Sequence, residues 1–188
     1  MKKFISSNLI LGLVLAGILS RLIPHAPNFT AVGATALFAG ALIRPRWMSF
    51  IIPLLILWLS DLYLNNGMYR NLFPEHYTGW QWMGNAWVYT GFVLIVALGQ
   101  WGIRKINVKN VLLSSILASL LFFMVTNFGV WINSPAWPQN PAGLLACYEF
   151  ALPFFWNTFA ADLLFSGVLF GSYVWVTRYI GQRLEVRG

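Results

Sequence analysis

The sequence predicts an all-α membrane protein: a single transmembrane domain over residues 1–188, built as a bundle of six transmembrane helices with both termini cytoplasmic. Three observations predict it. Hydrophobic residues make up 59% of the chain and charged residues only 9%, against roughly 25% charged in soluble domains. Five acidic and twelve basic residues cannot cover a soluble surface. At about 20 residues per membrane-spanning helix, 188 residues hold six or seven spans at most.

The apolar runs give the elements in order. The first span covers about Phe4 to Ile23 and stops at Pro24. The second, Ala31 to Ile43, is short and rich in Ala and Gly, and Pro45 follows it. The third runs from Trp47 to Leu64 with Pro53 inside, and a long polar-aromatic connection, Asn65 to Asn85, follows. A fourth span covers Ala86 to Ile103 and a fifth Val111 to Ile132, before a Pro-rich turn, Asn133 to Pro141. The last stretch, Ala142 to Thr177, is too long for one perpendicular helix. Pro153 lacks an N–H and its ring crowds the carbonyl of Glu149, so a break is expected there. The expectation is a broken or surface helix, Ala142 to Leu152, before a sixth span, Phe154 to Thr177.

The basic residues orient the bundle. Lys2, Lys3, Arg44, Arg46, Arg104, Lys105, Lys109, Arg178, Arg183 and Arg187 all fall on one side of a six-span arrangement, and only Arg21 and Arg70 on the other. The positive-inside rule makes the first side cytoplasmic. Lys2-Lys3 before an apolar run also fits a cleavable signal peptide. No small-x-small cleavage site precedes a polar start, so an uncleaved first span is expected.

Composition also excludes functions. The net charge of +7 is spread in short clusters between apolar runs rather than gathered in a solvated patch, which argues against nucleic acid. One cysteine, Cys147, excludes an intrachain disulfide framework, a Cys-x-x-Cys redox motif and a Cys-based zinc site. His-Glu-x-x-His and Gly-x-Gly-Asp are absent, and only two histidines exist.

With that topology, the polar residues gather toward the outer face. Arg21, His25, Asn28 and Thr30 flank the first outer turn; Asp61, Asn65, Asn66, Arg70, Glu75 and His76 belong to the end of span three and its loop. Asn127 and Trp131 share one face of span five, Glu149 and Asn157 surround the expected break, and Asp162 lies deeper. Ionisable groups in a bilayer usually face a protein interior, a partner charge or a water-filled cavity. The expectation is an outward pocket lined by His25, Asn28, Asp61, Asn65, Asn127, Trp131, Cys147, Glu149, Asn157 and Asp162, with no catalytic residue and no resident metal or cofactor. Structural roles compete residue by residue. Asp61 and Arg21 either pair to close a helix end or serve a ligand, Asn28 suits an N-cap for span two, and Asn127 suits a bond between helices. Asp61 and Asp162 could instead share a proton if they meet. In span one, Gly12, Ala16 and Ser20 form a small-xxx-small stripe that admits close approach of another helix.

Several strings carry a family resemblance: Arg21-Leu-Ile-Pro-His-Ala-Pro-Asn-Phe-Thr30, Ser60-Asp-Leu62, Thr126-Asn-Phe-Gly-Val-Trp131, Gly143-Leu-Leu-Ala-Cys-Tyr148, Ala151-Leu-Pro-Phe-Phe-Trp-Asn-Thr158 and Asp162-Leu-Leu-Phe165. Together they resemble an uncharacterised family of small bacterial membrane proteins, which is similar in size and layout to the substrate-binding S components of energy-coupling factor transporters. That resemblance implies a multi-pass protein of the bacterial cytoplasmic (inner) membrane, not an enzyme, that captures a vitamin or related micronutrient. It also implies partners: a transmembrane coupling subunit docking on Gly12, Ala16 and Ser20, and ATPases, since this chain has no Gly-x4-Gly-Lys-Ser/Thr loop of its own. Cobalamin is one candidate substrate it brings, with Cys147 as the cobalt ligand. The competing classes are a membrane-embedded enzyme and an accessory subunit of a larger membrane complex.

Overall fold

A computed structural model describes residues 7–185, with side-chain surroundings for 12–178. The first three residues of the expected span one, the basic pair Lys2-Lys3 and the terminal Arg187 lie outside the described residues. Among the described residues the chain is helical with no strands: α1 (Ser7–Leu22), α2 (Val32–Leu42), α3 (Met48–Tyr63), a π-helical turn (Leu64–Met68), α4 (Tyr69–Leu72), α5 (Ala86–Gly102), α6 (Val108–Asn133) and α7 (Pro141–Glu185). Three helical segments are long and apolar enough to cross a membrane, Met48–Leu72, Val108–Asn133 and Pro141–Arg178; Gly12–Leu22, Val32–Leu42 and Ala86–Gly102 are shorter apolar helices.

Side-chain contacts fix the directions. Gly17 meets Ile56 and Arg21 meets Ser60, so α1 and α3 run parallel. Tyr89 meets Asp61 and Gln100 meets Ser49, so α5 runs against α3. Gly102 packs on Ser114 and Gly129 on Trp87, which turns α6 against α5. Ser119 meets Asp162 while Tyr148 meets Met124, so α7 returns against α6. Phe38 packs on Phe170 at 5.1 Å and Gly33 lies beside Asp162, making α2 parallel to α7. Taken in chain order, α1, α2, α3, α5, α6 and α7 alternate up and down.

At the centre stands α2. Every residue from Val32 to Ala41 is buried, as expected of a helix apolar on all sides and enclosed by others. Small residues allow this: a side chain at Gly40 would run into the carbonyl of Val96, and one at Gly99 into the carbonyl of Leu37. The backbones of α2 and α5 therefore touch where they cross. The outer flanks are apolar instead. Leu113, Leu117, Leu120 and Met124 are all exposed along α6, at spacings that share one helix face. Water would not tolerate such a stripe, whereas lipid solvates it.

Four sequence expectations need correction. α7 is unbroken: residues 142–152 and 154–177 belong to one helix that passes through Pro153, so there is no separate broken or surface helix before the last span. A proline inside a helix costs about 3 kcal/mol, but here the turns on both sides are held by the same partner. Phe123 of α6 packs on Tyr148 at 5.4 Å and on Phe155 at 5.0 Å, straddling the proline. At about 1.5 Å per residue, α7 exceeds the ~30 Å hydrocarbon core, so its length is accommodated beyond the core rather than by breaking.

The connection after span three also starts later than expected. Helical backbone continues through Asn65 and Asn66 in the π turn and on to Leu72. Asn66 makes this possible by bonding its own helix, Nδ2 to the Leu62 carbonyl at 3.0 Å, and the returning loop, through Nδ2 to the Gln81 carbonyl at 2.8 Å and from the Gln81 N–H at 2.7 Å.

Asn28 does not cap α2. It sits at φ 64° in the left-handed region, where Asn is tolerated among non-glycine residues. The N-cap position is Ala31, whose N–H donates 3.1 Å to the hydroxyl of Ser20. Asn127, finally, does not bridge helices through its side chain: its Nδ2 donates 2.8 Å to the Phe123 carbonyl one turn back.

Candidate functional site

The shortness of α2 creates the site. Eleven residues at about 1.5 Å each reach only about half the depth of a bilayer core. The turn from Ile23 to Ala31 leads into α2, and beside that turn lies a cavity of about 530 Å³. Its wall comes from six helical segments: the end of α1 (Arg21, Leu22), the start of α2 (Val32, Gly33), α3 continued through its π turn into α4 (Leu57, Leu64, Met68, Tyr69), α5 (Val88, Phe92, Ile95), Phe122 of α6, and Thr158 with Asp162 on α7. The turn itself adds Pro24, His25, Pro27, Asn28 and Thr30. The wall is mainly apolar and aromatic with a few convergent polar groups, the usual make-up of a small-molecule site.

The turn is fixed rather than loose. Pro24 and Pro27 restrict it, the Phe29 N–H donates 2.9 Å to the Ala26 carbonyl, and the His25 ring Nδ1 lies 2.5 Å from the Ile23 carbonyl. Asn157 of α7 donates 2.9 Å to the Pro27 carbonyl, and Phe29 packs on Phe165 at 5.8 Å. Asn157 thus shapes the site from behind without lining it.

Arg21 anchors the opposite side. Its guanidinium pairs with Asp61 at 2.7 Å and donates to the Ser60 hydroxyl at 2.6 Å and to the Leu57 carbonyl at 3.3 Å. Asp61 also accepts from the Tyr89 hydroxyl at 2.9 Å, and Gly84 leaves it room, since a side chain there would strike the carboxylate. The Arg21–Asp61 pair anticipated from the sequence therefore exists, and it neutralises the cation of the cavity wall. Beyond it, in the loop after α4, burial and then the nearby Tyr69 and Asp61 push the Tyr77 phenol above its ordinary value.

Asp162 differs. It is 3% exposed, accepts one hydrogen bond, from the Ser119 hydroxyl at 2.7 Å, and among the described residues no cation lies within ion-pair distance. Its Oδ1 sits against Gly33, where any Cβ would collide with it. Asp61 and Asp162 take separate partners and form no shared pair.

Of the ten residues expected at the pocket, His25, Asn28 and Asp162 line the cavity. Asp61 supports it through Arg21, and Asn157 through Pro27. Asn65 is buried in the π turn but does not line it. Asn127, Trp131, Cys147 and Glu149 lie elsewhere on the α6–α7 pair. The Trp131 indole N–H donates 2.9 Å to the Pro138 carbonyl and fastens the turn between α6 and α7, and the buried Cys147 thiol sits 3.6 Å from the Asn127 carbonyl. Glu149 is exposed. The stripe of α1 is divided: Gly12 and Ala16 are exposed, nothing stands within 4 Å of a Cβ built on Gly12, and Ser20 serves α2. No group of three or more His, Cys, Asp or Glu capable of holding a metal occurs among the described residues.

Sequence reading passed over Thr158, Gly33, Tyr69, Phe92 and Phe122. Thr158 had a signal, standing one turn before Asp162 on the same helix face. The apolar wall had none.

The chain matches, over residues 2–184, the model of a family of unknown function, DUF6580; it belongs to that family. No curated protein and no solved structure matches it.

Proposed function

We propose that this protein is the substrate-capturing subunit of a micronutrient uptake system, with six helices in the bilayer and the cavity open to the outside. The observation that carries the reading is the cavity of about 530 Å³ at one end of the bundle, walled by six helices. That end carries Arg21 and Arg70, while the connections at the other end carry Arg44, Arg46, Arg104, Lys105 and Lys109, so the positive-inside rule turns the cavity outward. The volume falls in the range of small-molecule sites. The likeness to energy-coupling factor S components supports vitamin-like cargo and points the exposed Gly12 and Ala16 toward a coupling helix of another protein. Cobalamin is not part of the proposal, because Cys147 is absent from the cavity wall and a cobalt ion there would find no thiolate.

Native mass spectrometry of gently purified protein tests it. The expected result is one retained non-lipid molecule, lost in Thr158→Phe, which pushes a bulky ring into the cavity from its wall. Retention of phospholipid alone, or equal retention by Thr158→Phe, would overturn the reading.

A further inference from the structure

Below the cavity, the α6–α7 interface holds a cluster of polar groups that touches the cavity wall only at Asp162. Ser115 and Ser119 stand one turn apart on α6, and Asp162 and Ser166 one turn apart on α7. All four are buried. The helices run antiparallel, and Ser119 faces Asp162 at 2.7 Å; one turn further in along both helices, Ser115 comes opposite Ser166.

Two of the three hydroxyls of this seam are oriented unusually, while that of Ser119 also lies 3.1 Å from the Ser115 carbonyl. A serine inside a helix commonly returns its hydroxyl to the carbonyl four residues back, as Ser60 does to Ile56 at 2.6 Å. Neither Ser115 nor Ser166 does so. Each hydroxyl is buried and has no hydrogen-bond partner among the described residues. Beside them is a buried carboxylate with no cation within ion-pair distance among the described residues, while Arg21 is committed to Asp61. Two free hydroxyl oxygens, a third hydroxyl on Ser119 and one carboxylate make an all-oxygen set of single negative charge. Hard cations take oxygen ligands, and divalent ones usually draw more carboxylate charge than this. Intramembrane carboxylates facing a cavity mark ion pathways, and Asp162 reaches the cavity wall.

We infer that Asp162, Ser119, Ser115 and Ser166 form a binding site for a monovalent cation, Na⁺, reached from the outer cavity. The site does not depend on the capture reading: it stands or falls on the seam alone.

The test uses the full chain in detergent with Na⁺ as the probe. Thermal melts are recorded as NaCl replaces choline chloride at fixed ionic strength and pH, with ²²Na⁺ binding measured in parallel. The wild type should show a saturable rise in Tm with Na⁺ and retain ²²Na⁺ that unlabelled Na⁺ displaces and choline does not. Asp162→Asn should abolish both effects. Ser166→Ala removes one oxygen and little else, and should weaken Na⁺ binding by about tenfold or more, the scale of about 1.4 kcal/mol. Coincident melts in Na⁺ and choline with no retained ²²Na⁺ would overturn the site, as would a wild-type Na⁺ response in Ser166→Ala. That variant decides the matter even if Asp162→Asn does not fold.

Discussion

Arg21 at the end of α1 and Asp61 at the end of α3 meet at 2.7 Å and tie together two parallel helices on one side of the cavity. The pair is mostly enclosed, with side-chain exposures of 18% and 8%, and both partners have further bonds: Arg21 to Ser60, Asp61 to Tyr89. Removing one partner of such a pair strands the other charge. Arg21→Met or Asp61→Leu alone should destabilise the protein by about 3–5 kcal/mol. The double substitution should recover much of the loss, since apolar replacement of a whole buried pair is often neutral. Melting temperatures of the single and double variants measure this, and additive losses would show that the two side chains do not act as a pair.

The glycines give a graded series. At Gly40 and Gly99 a Cβ would meet backbone carbonyls of the facing helix, which cannot swing aside, whereas at Gly33 it would meet the Asp162 carboxylate. Gly40→Ala and Gly99→Ala should therefore each cost at least as much as Gly33→Ala, within the roughly 1–3 kcal/mol of an overpacked core. Nothing stands near Gly167 on α7, so Gly167→Ala should be neutral or gain up to about 1 kcal/mol from helix propensity. A thermal-shift ranking with Gly167→Ala as the worst variant would contradict this packing.

How much of this could be read in advance follows the physics of each signal. Helix positions were legible because apolar runs and breakers act locally: the observed α5, Ala86–Gly102, falls within one residue of the expected span. The break at Pro153 was misread because its outcome depends on Phe123, a residue 30 positions away that sequence alone does not place beside it. The pocket was legible through groups that bilayers exclude, His25, Asn28 and Asp162. Phe92 and Phe122 were invisible, since an apolar residue lining a cavity and one facing lipid look the same in sequence. Asn127 and Cys147 were drawn in by polarity alone, yet each is satisfied within the α6–α7 pair.

Ala16 on α1 is exposed. Ala16→Leu should leave the melting of the isolated protein within about 0.5 kcal/mol of wild type, the range of ordinary surface changes. Under the uptake reading the same change should impair transport in cells or co-purification with a coupling subunit, because a bulky residue blocks close helix approach. Full transport by Ala16→Leu would mean that this face meets only lipid.

Sidedness is open to a direct chemical measurement, because the one native thiol is nearly silent: Cys147 is only 2% exposed. His25 and Arg104 are both exposed and sit in connections at opposite ends of the bundle, the first in the turn over the cavity and the second between α5 and α6. In a Cys147→Ala background, His25→Cys should react with a membrane-impermeant maleimide added to intact cells, and Arg104→Cys should react only after the membrane is opened. The expectation rests on the clustering of Arg44, Arg46, Arg104, Lys105 and Lys109 at the end away from the cavity, which the positive-inside rule places in the cytoplasm. The reverse pattern would invert the protein and turn the cavity inward, which a capture subunit cannot use. Labelling of both positions from the same side would be more damaging still. The helices between His25 and Arg104 would then cross the bilayer an even number of times, and α2, α3 and α5 could not all be spans.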